Sequence, residues 1–390
     1  MKVLDITAGL AGPFCSAWLA DMGADVVKVE PTETGERTRG TLPLDSGWSP
    51  FFAACNRGKR DITLNLRHQE GQQIARSLAS RADVLVSNFT PGVLDRLGLG
   101  YEQLRTDNPR LIWVNGSGYG SKGPKAGKGS VDLAAQAAGG LASVTGTRET
   151  GPLLAGASIA DMTLALCLLS GVMTALYSRE RTGLGDKVEA SLVGGQLVLQ
   201  STEIAYHSVA PELSNPHGSG QGHYLFPPTY ACYKTADGTI AVAGAGGLNW
   251  PAFCLALGRQ DLTEDCRFRS PSQRKQHEAA LRQELESVFI TQTTAHWESV
   301  LEGLRVPSSP VRNYDEILSD EQCYLNGDLV KIADPHGVEV TFVGTPVKLD
   351  SCDIRPRSSS PELGQHTEEV LLELGYDWPG IGRLRESAVV

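Results

Sequence analysis

The chain has 390 residues, of which 41% are hydrophobic and 21% charged, with a formal net charge of -10 and a pI near 5.4. That length exceeds one compact core and points to two domains, or a large domain carrying a smaller one. The acidic balance, with no dense Lys/Arg run, excludes a phosphate-backbone partner such as nucleic acid but leaves room for a small phosphorylated ligand.

The N-terminal elements alternate. Lys2–Ile6 is a short apolar run, Ala8–Pro13 a glycine/proline turn, Phe14–Met22 a stretch of helical spacing, and Ala24–Glu30 a second β-branched run. Strand, turn, helix and strand in that order predict a βαβ unit and a parallel sheet. Arg60–Leu66, Ala82–Val86 and Leu111–Asn115 read as further strands, with helices at Glu70–Ser80 and Gly92–Leu97. The most apolar stretch, Leu164–Tyr177, is too short to span a bilayer and contains Ser170, Gly171 and Thr174, so it reads as a buried helix.

From about Tyr206 to Tyr230 the texture becomes rich in Gly, Pro, Ser and His, as in a long ordered loop. Tyr230–Tyr233 and Thr239–Ala243, joined by Asp237-Gly238, read as a hairpin. Helices follow at Trp250–Leu257 and Arg274–Phe289, then a last segment of Val340–Val347 and the helix His366–Leu374. The expected domains are a large one over 1–205, a linker over 206–224, a smaller α+β domain over 225–325, and a return to the large domain over 326–390. The eight cysteines are dispersed with no C-x-x-C pair, and the eight histidines form no H-E-x-x-H group. Reduced thiols, no metal site, no signal peptide and a cytoplasmic location without a membrane partner are expected.

Four motifs carry candidate chemistry. The turn Ala8–Pro13, with Glu30 ending the next strand, has the carboxylate spacing of a dinucleotide fold but reads G-x-x-G-P, so a tight strand-to-helix turn is the simpler reading. Basic residues flank flexible backbone in Gly35–Gly40, Asn56–Arg60 and Leu64–Arg67, a pattern that can hold phosphates. Asp161 follows the small-residue run Gly151–Ala160 and stands where an N-cap belongs. There the helix dipole and free N–H groups would keep it ionised, and a carboxylate so placed can attack an acyl carbonyl. His217–Gly222 is a glycine loop, either a cover that excludes water or a linker.

These segments together resemble the class III CoA-transferases, the CaiB/BaiF type that includes the formyl-CoA:oxalate and carnitine enzymes. The resemblance is carried by Val3–Glu30, Gly35–Gly40, Asn56–Leu66, Ala82–Leu104, Ala134–Gly140, Ile159–Leu166, Ala175–Leu192 and Leu363–Gly375, in that order and spacing. It implies an α/β fold with an open parallel Rossmann-like large domain, a smaller α+β domain, and two chains interlocked as a homodimer. It implies Asp161 as the nucleophile, and CoA contacts from Ala11, Arg39, Leu64, Asn65, Arg67, Asn88, Phe89, Arg96 and Asp132. Gly218, Ser219, Gly220, Gln221 and Gly222 would form the active-site loop. The substrates would be an acyl-CoA and a small carboxylic acid, exchanged through mixed anhydrides and an aspartyl-CoA thioester, with no tightly bound cofactor.

The chain departs from the oxalate-using pattern at Leu10, where that relative has Gln, and at Val131, where many members have Tyr; the loop also contains Ser219. One rival is an α-methylacyl-CoA racemase, which needs a base on each face of the substrate. Racemases of this fold carry His in a G-H-D motif, whereas this chain reads Gly129-Ser130-Val131-Asp132 and has no His between His68 and His207. The other rival is a non-catalytic CoA-binding protein, against which the retention of Asp161 speaks.

Overall fold

The computed structural model describes residues 1–147, 149–211, 221–244, 249–334 and 336–390. Contacts divide the chain into two units, one of Met1–Gly139, Ala157–Leu199 and Leu318–Val390, the other of Gly140–Gly156 and Gln200–Ile317.

The first unit is built on a six-stranded sheet: β1 (Lys2–Ile6), β2 (Asp25–Glu30), β3 (Arg60–Thr63), β4 (Val84–Ser87), β5 (Ile112–Ser117) and β6 (Lys187–Ser191). All pairings are parallel, in the order β3-β2-β1-β4-β5-β6. A parallel sheet covered on both faces needs strands apolar on both sides, which is why these runs are nearly continuous in Val, Ile and Leu. Leu4, Ile6, Val27, Val29, Ile62, Leu85 and Trp113 point to one core with the helix Gln69–Arg81. Val3, Val26, Val84, Val86, Ile112 and Val114 point to the other, with the helices Ala11–Asp21 and Ile159–Thr182.

One residue in β1 breaks the apolar run. Asp5 is fully buried and takes hydrogen bonds from Lys59 Nζ at 2.7 Å, Ser16 Oγ at 2.6 Å and the Thr7 amide at 2.9 Å. Burial works against its charge, but Lys59 and Lys28 hold its carboxyl well below the usual carboxylate range. Lys28 in turn donates to the Thr7 carbonyl at 2.9 Å and lies 3.7 Å from Glu36.

The helix Ile159–Thr182 is longer than the apolar stretch anticipated, and by length and composition alone it could cross a membrane. It packs only one face: Ala160, Leu164, Ala165, Leu168, Val172 and Ala175 are buried, while Leu166, Met173 and Tyr177 are exposed. The C-terminal residues pack on the first core. Val370 and Leu371 of the helix Thr367–Leu374, then Ile381, Leu384 and Val389, pack against the β3 side of the sheet.

The second unit has its own core around the antiparallel strands β7 (Ala231–Lys234), β8 (Thr239–Val242) and β9 (Ser308–Pro310). Tyr233 stacks on Phe289 at 4.6 Å between centroids, and Asp237 closes the β7–β8 turn by accepting the Thr294 amide at 2.7 Å. Two expectations change here. The helix Ser201–Val209 occupies the beginning of the anticipated loop, and the anticipated helix Arg274–Phe289 breaks at His277 into Pro271–Gln276 and Glu278–Phe289.

Candidate active site

In an open parallel sheet the ligand crevice forms outside the carboxyl ends of the strands, where the strand order reverses. Here that point lies between β1 and β4. The turn after β1 is held from three sides: Asn88 accepts the Ala8 amide at 3.0 Å and donates to its carbonyl at 2.6 Å, Glu36 accepts the Gly9 amide at 2.9 Å, and Lys28 bonds Thr7. Gly12 is required by close approach, because a Cβ there would stand 2.6 Å from Thr7 Cγ2. The helix Ala11–Asp21 therefore starts hard against the end of β1, with Asn88 from the end of β4 close beside it.

A cleft of about 490 Å³ opens at this point, lined by Ala8–Ala11, Arg37, Thr38, Thr41, Phe51, Asn88–Thr90, Gly116–Gly118, Gly129–Val131, Asp161, Leu164 and Leu192. Asp161 is the single carboxylate in that lining, and no histidine belongs to it, among the described residues. Its position corrects one expectation. Ser158 is the N-cap and Asp161 the third residue of its helix, where the backbone is already helical.

The electrostatics reverse a second expectation. Burial, and next the negative charge of Asp132, push the Asp161 carboxyl up to about 6; Arg37 and the Ala11 amide oppose them. At pH 7 Asp161 is still ionised by about ten to one, as a partly buried carboxylate whose charge burial disfavours and not as one relaxed by the helix end. The rate of any reaction that needs the Asp161 anion should thus rise with pH through about 6 and level off above 7. A kcat/KM profile from pH 4.5 to 8.5 checks this, and a flat acid limb would contradict it.

Other anticipated contacts divide. Ala11, Asn88 and Phe89 line the cleft; Arg39, Leu64, Asn65, Arg67, Arg96 and Asp132 do not. Arg39 bonds Glu30 with two nitrogens at 2.8 Å, donates to the Pro361 carbonyl, and lies 3.9 Å over the Phe52 ring. Its guanidinium is thereby committed inside the fold, and so is Glu30, which removes the ribose-binding reading of that carboxylate. Leu64 is a core residue. Asn65 donates to the Ala388 carbonyl and accepts the Arg67 amide.

The basic group Asn56–Arg60 is likewise paired, since Arg57 meets Asp21 at 2.7 Å and Lys59 meets Asp5 in the interior, and Arg60 meets Asp25, Glu369 and Glu373 at the surface. Arg37, Arg67 and Arg96 are exposed and make no ion pair among the described residues. Of the expected loop, Gly218, Ser219 and Gly220 lie outside the described residues. Gln221 and Gly222 belong to the second unit, where Gln221 accepts the Cys232 amide at 2.6 Å and Gly222 bridges to Ala231.

Sequence reasoning passed over Phe51, Leu192 and above all Arg37, whose charge reaches Asp161. It had noted Arg37 within Gly35–Gly40, but nothing in that pattern distinguishes it from Arg39. The turn Arg37–Gly40 is a 3-10 helix, and it sends the first arginine to the cleft and the second to Glu30.

Comparison with known proteins agrees with this architecture. Residues 1–367 match the family model of CoA-transferase family III. A succinyl-CoA:mesaconate CoA-transferase of Haloarcula marismortui is 34% identical over 388 residues, covering 97% of this chain and 96% of that one. A succinyl-CoA:glutarate CoA-transferase of Mus musculus is 30% identical over 392 residues, covering 100% and 89%. A CaiB/BaiF family protein from Brucella suis has a solved structure that superposes with a TM-score of 0.83 at 31% identity, covering 96% of this chain and 98% of that one. With its parallel sheet, its switch-point cleft and these relatives, the chain belongs to CoA-transferase family III and is an enzyme that transfers CoA groups.

Proposed function

We propose that the enzyme moves CoA from an acyl-CoA to a carboxylic acid through covalent intermediates on Asp161. The observation that carries this reading is a single, partly buried carboxylate, ionised at neutral pH, in the lining of a cleft with mixed apolar and polar walls. A carboxylate oxygen of Asp161 attacks the thioester carbonyl, the C–S bond breaks, and CoA leaves as thiolate from a mixed anhydride. The thiolate attacks the aspartyl carbonyl, releasing the donor acid and leaving an aspartyl-CoA thioester. The acceptor carboxylate then attacks that thioester, releases the thiolate, and forms a second anhydride. Thiolate attack on the acceptor carbonyl yields the new acyl-CoA and restores the Asp161 anion. No net proton or electron is exchanged.

The cleft also bears on the substrate. Leu10, Phe51, Val131, Leu164 and Leu192 give it apolar walls, and Arg37 supplies a cation. A dicarboxylic acid of four or five carbons fits that pairing, with one carboxylate reacting at Asp161 and the other held by Arg37. The relatives named for succinyl-CoA with glutarate or mesaconate support the same class. The exposed Arg67, in the loop after β3, and Arg96, at the end of the short helix Val93–Arg96 that follows β4, are available for the phosphates of CoA. The exposed apolar residues Leu166, Met173, Tyr177, Ile204 and Val209 support the homodimer that the family resemblance implies.

The test incubates the enzyme with acetyl-CoA, succinyl-CoA or glutaryl-CoA, adds hydroxylamine, and maps the product by mass spectrometry. A hydroxamate on Asp161 is the expected result, and labelling elsewhere or nowhere overturns the reading. Arg37→Gln should raise the KM for glutarate roughly tenfold or more, the loss of a hydrogen bond to a charged group, and leave that for hexanoate nearly unchanged. Equal effects on both acids would remove the dicarboxylate assignment.

A further inference from the structure

The helix that carries Asp161 begins without a cap of its own. Ser158 occupies the N-cap position, yet its side chain makes no capping bond. The first-turn N–H groups of a helix need partners, and a carboxylate is the strongest available. Here the partner comes from another helix, Asp132–Ala138. Asp132 Oδ1 accepts the amide of Ala160 at 2.7 Å and that of Asp161 itself at 3.2 Å. Its Oδ2 accepts from Gln136 Nε2 at 2.6 Å, and the same nitrogen reaches the Ala157 carbonyl at 3.3 Å. Gln136 is buried. One glutamine thus fastens both the capping carboxylate and the backbone just before the capped helix.

We propose that Asp132 is a positioning residue, which caps the Asp161 helix from outside and fixes where the nucleophile's backbone starts. This rests on the reading of Asp161 as nucleophile. It replaces the expected CoA contact, since Ser130 and Val131 line the cleft and Asp132 does not.

Two consequences follow from the geometry. The amide of residue 161 is tied down, so the side chain leaves a fixed Cα toward the thioester; reaction rates depend on such placement to fractions of an ångström. The helix end is also spent on Asp132, leaving the Asp161 carboxylate only the Ala11 amide and the Arg37 charge as stabilisers. The groups facing Asp161 are then Asp132 from its helix, Arg37 from the 3-10 turn, and Cys55 from the helix Pro50–Asn56. Burial pushes the Cys55 thiol up to about 11, so it stays neutral. A carboxylate left with so little stabilisation is the better nucleophile.

The test uses the full-length enzyme with Asp132→Ala and Asp132→Asn, and whichever of acetyl-CoA, succinyl-CoA and glutaryl-CoA labels wild-type Asp161 fastest. Asp132→Ala should lower kcat roughly tenfold to a hundredfold while the KM for the donor stays within about threefold. Asp132→Asn keeps an oxygen for the two amides, with Gln136 turning its amide to match, and removes the charge. Its plateau rate should stay within about threefold of wild type while the acid limb moves down by about half a pH unit or more. A raised donor KM with an unmoved limb would restore the CoA-contact role and overturn the proposal. So would an unchanged kcat in the Ala variant together with an unmoved limb in the Asn variant. If the Ala variant fails to fold, the limb of the Asn variant decides. Absence of any label on wild-type Asp161 removes the nucleophile reading and this proposal with it. Normal labelling with unaffected variants removes this proposal alone.

Discussion

Asp161→Asn should leave a folded enzyme that exchanges CoA at least roughly a thousandfold more slowly, a barrier increase of about 4 kcal/mol. Asn has nearly the same volume and a similar hydrogen-bonding edge, so the cleft keeps its shape. The backbone bond from residue 161 to Asp132 does not involve the side chain and survives. What is lost is the anion, and an amide oxygen forms no anhydride with a thioester. Stability should move the other way. Burial and Asp132 both disfavour the Asp161 charge, so a neutral residue relieves a native-state cost and the unfolding midpoint should hold or rise. CoA exchange with both a donor and an acceptor present reads the first effect, and thermal unfolding reads the second. Activity within tenfold of wild type would refute the covalent role.

Lys59→Met should give the largest loss of stability in the first unit, about 3–5 kcal/mol, because it strands a buried carboxylate. Lys59 Nζ bonds Asp5 at 2.7 Å, the Pro13 carbonyl at 2.9 Å and Asn56 Oδ1 at 2.8 Å, all away from water. Met fills the space and supplies none of these donors. Asp5 would keep Ser16, Thr7 and the more distant charge of Lys28, which cannot hold it ionised at the same cost.

The pH dependence gives the sign. In the wild type the Asp5 carboxyl is depressed, so its contribution is full above about pH 4 and is lost progressively as the pH falls below that. In the variant its carboxyl lies above the unfolded value, so stability is retained below about pH 4 and declines as pH rises. The gap between the two proteins should narrow on acidification, as urea unfolding at pH 4.5 and 7.5 would show. Adding Asp5→Asn to Lys59→Met should recover part of the loss, and a further additive loss would argue against a coupled pair.

Much of this architecture is written in local pattern. The β-branched runs at Val3–Ile6 and Val26–Val29 declare a sheet covered on both faces, and the turn between them declares a right-handed crossover. Asp161 could be singled out because a charge after the ten small or apolar residues Gly151–Ala160 is conspicuous. What could not be read was partnership across the chain. Arg57, Lys59 and Arg60 look like one phosphate cradle in sequence, yet each is neutralised by a carboxylate that folding brings from 36, 54 or 35 residues away. Asp132 likewise reaches Ala160 across 28 residues, and no periodicity announces that bond. Arg37 and Arg39 differ only in which way a tight turn faces them.

The three-part composition of the first unit bears on how the chain comes to be folded. β3 is joined to the helix Thr367–Leu374 by bonds that span more than 300 residues, such as the Thr63 amide to Thr367 Oγ1 at 3.2 Å. During ribosomal synthesis that half of the sheet must wait, its apolar surface uncovered, until Val370, Ile381 and Leu384 emerge. The core formed by Tyr233, Phe253, Phe289 and Trp297 closes within about seventy residues and can consolidate meanwhile. Assembly of the nascent polypeptide should therefore run from the middle outward, with a long-range closing step that sets the pace and a window in which chaperones have a surface to hold.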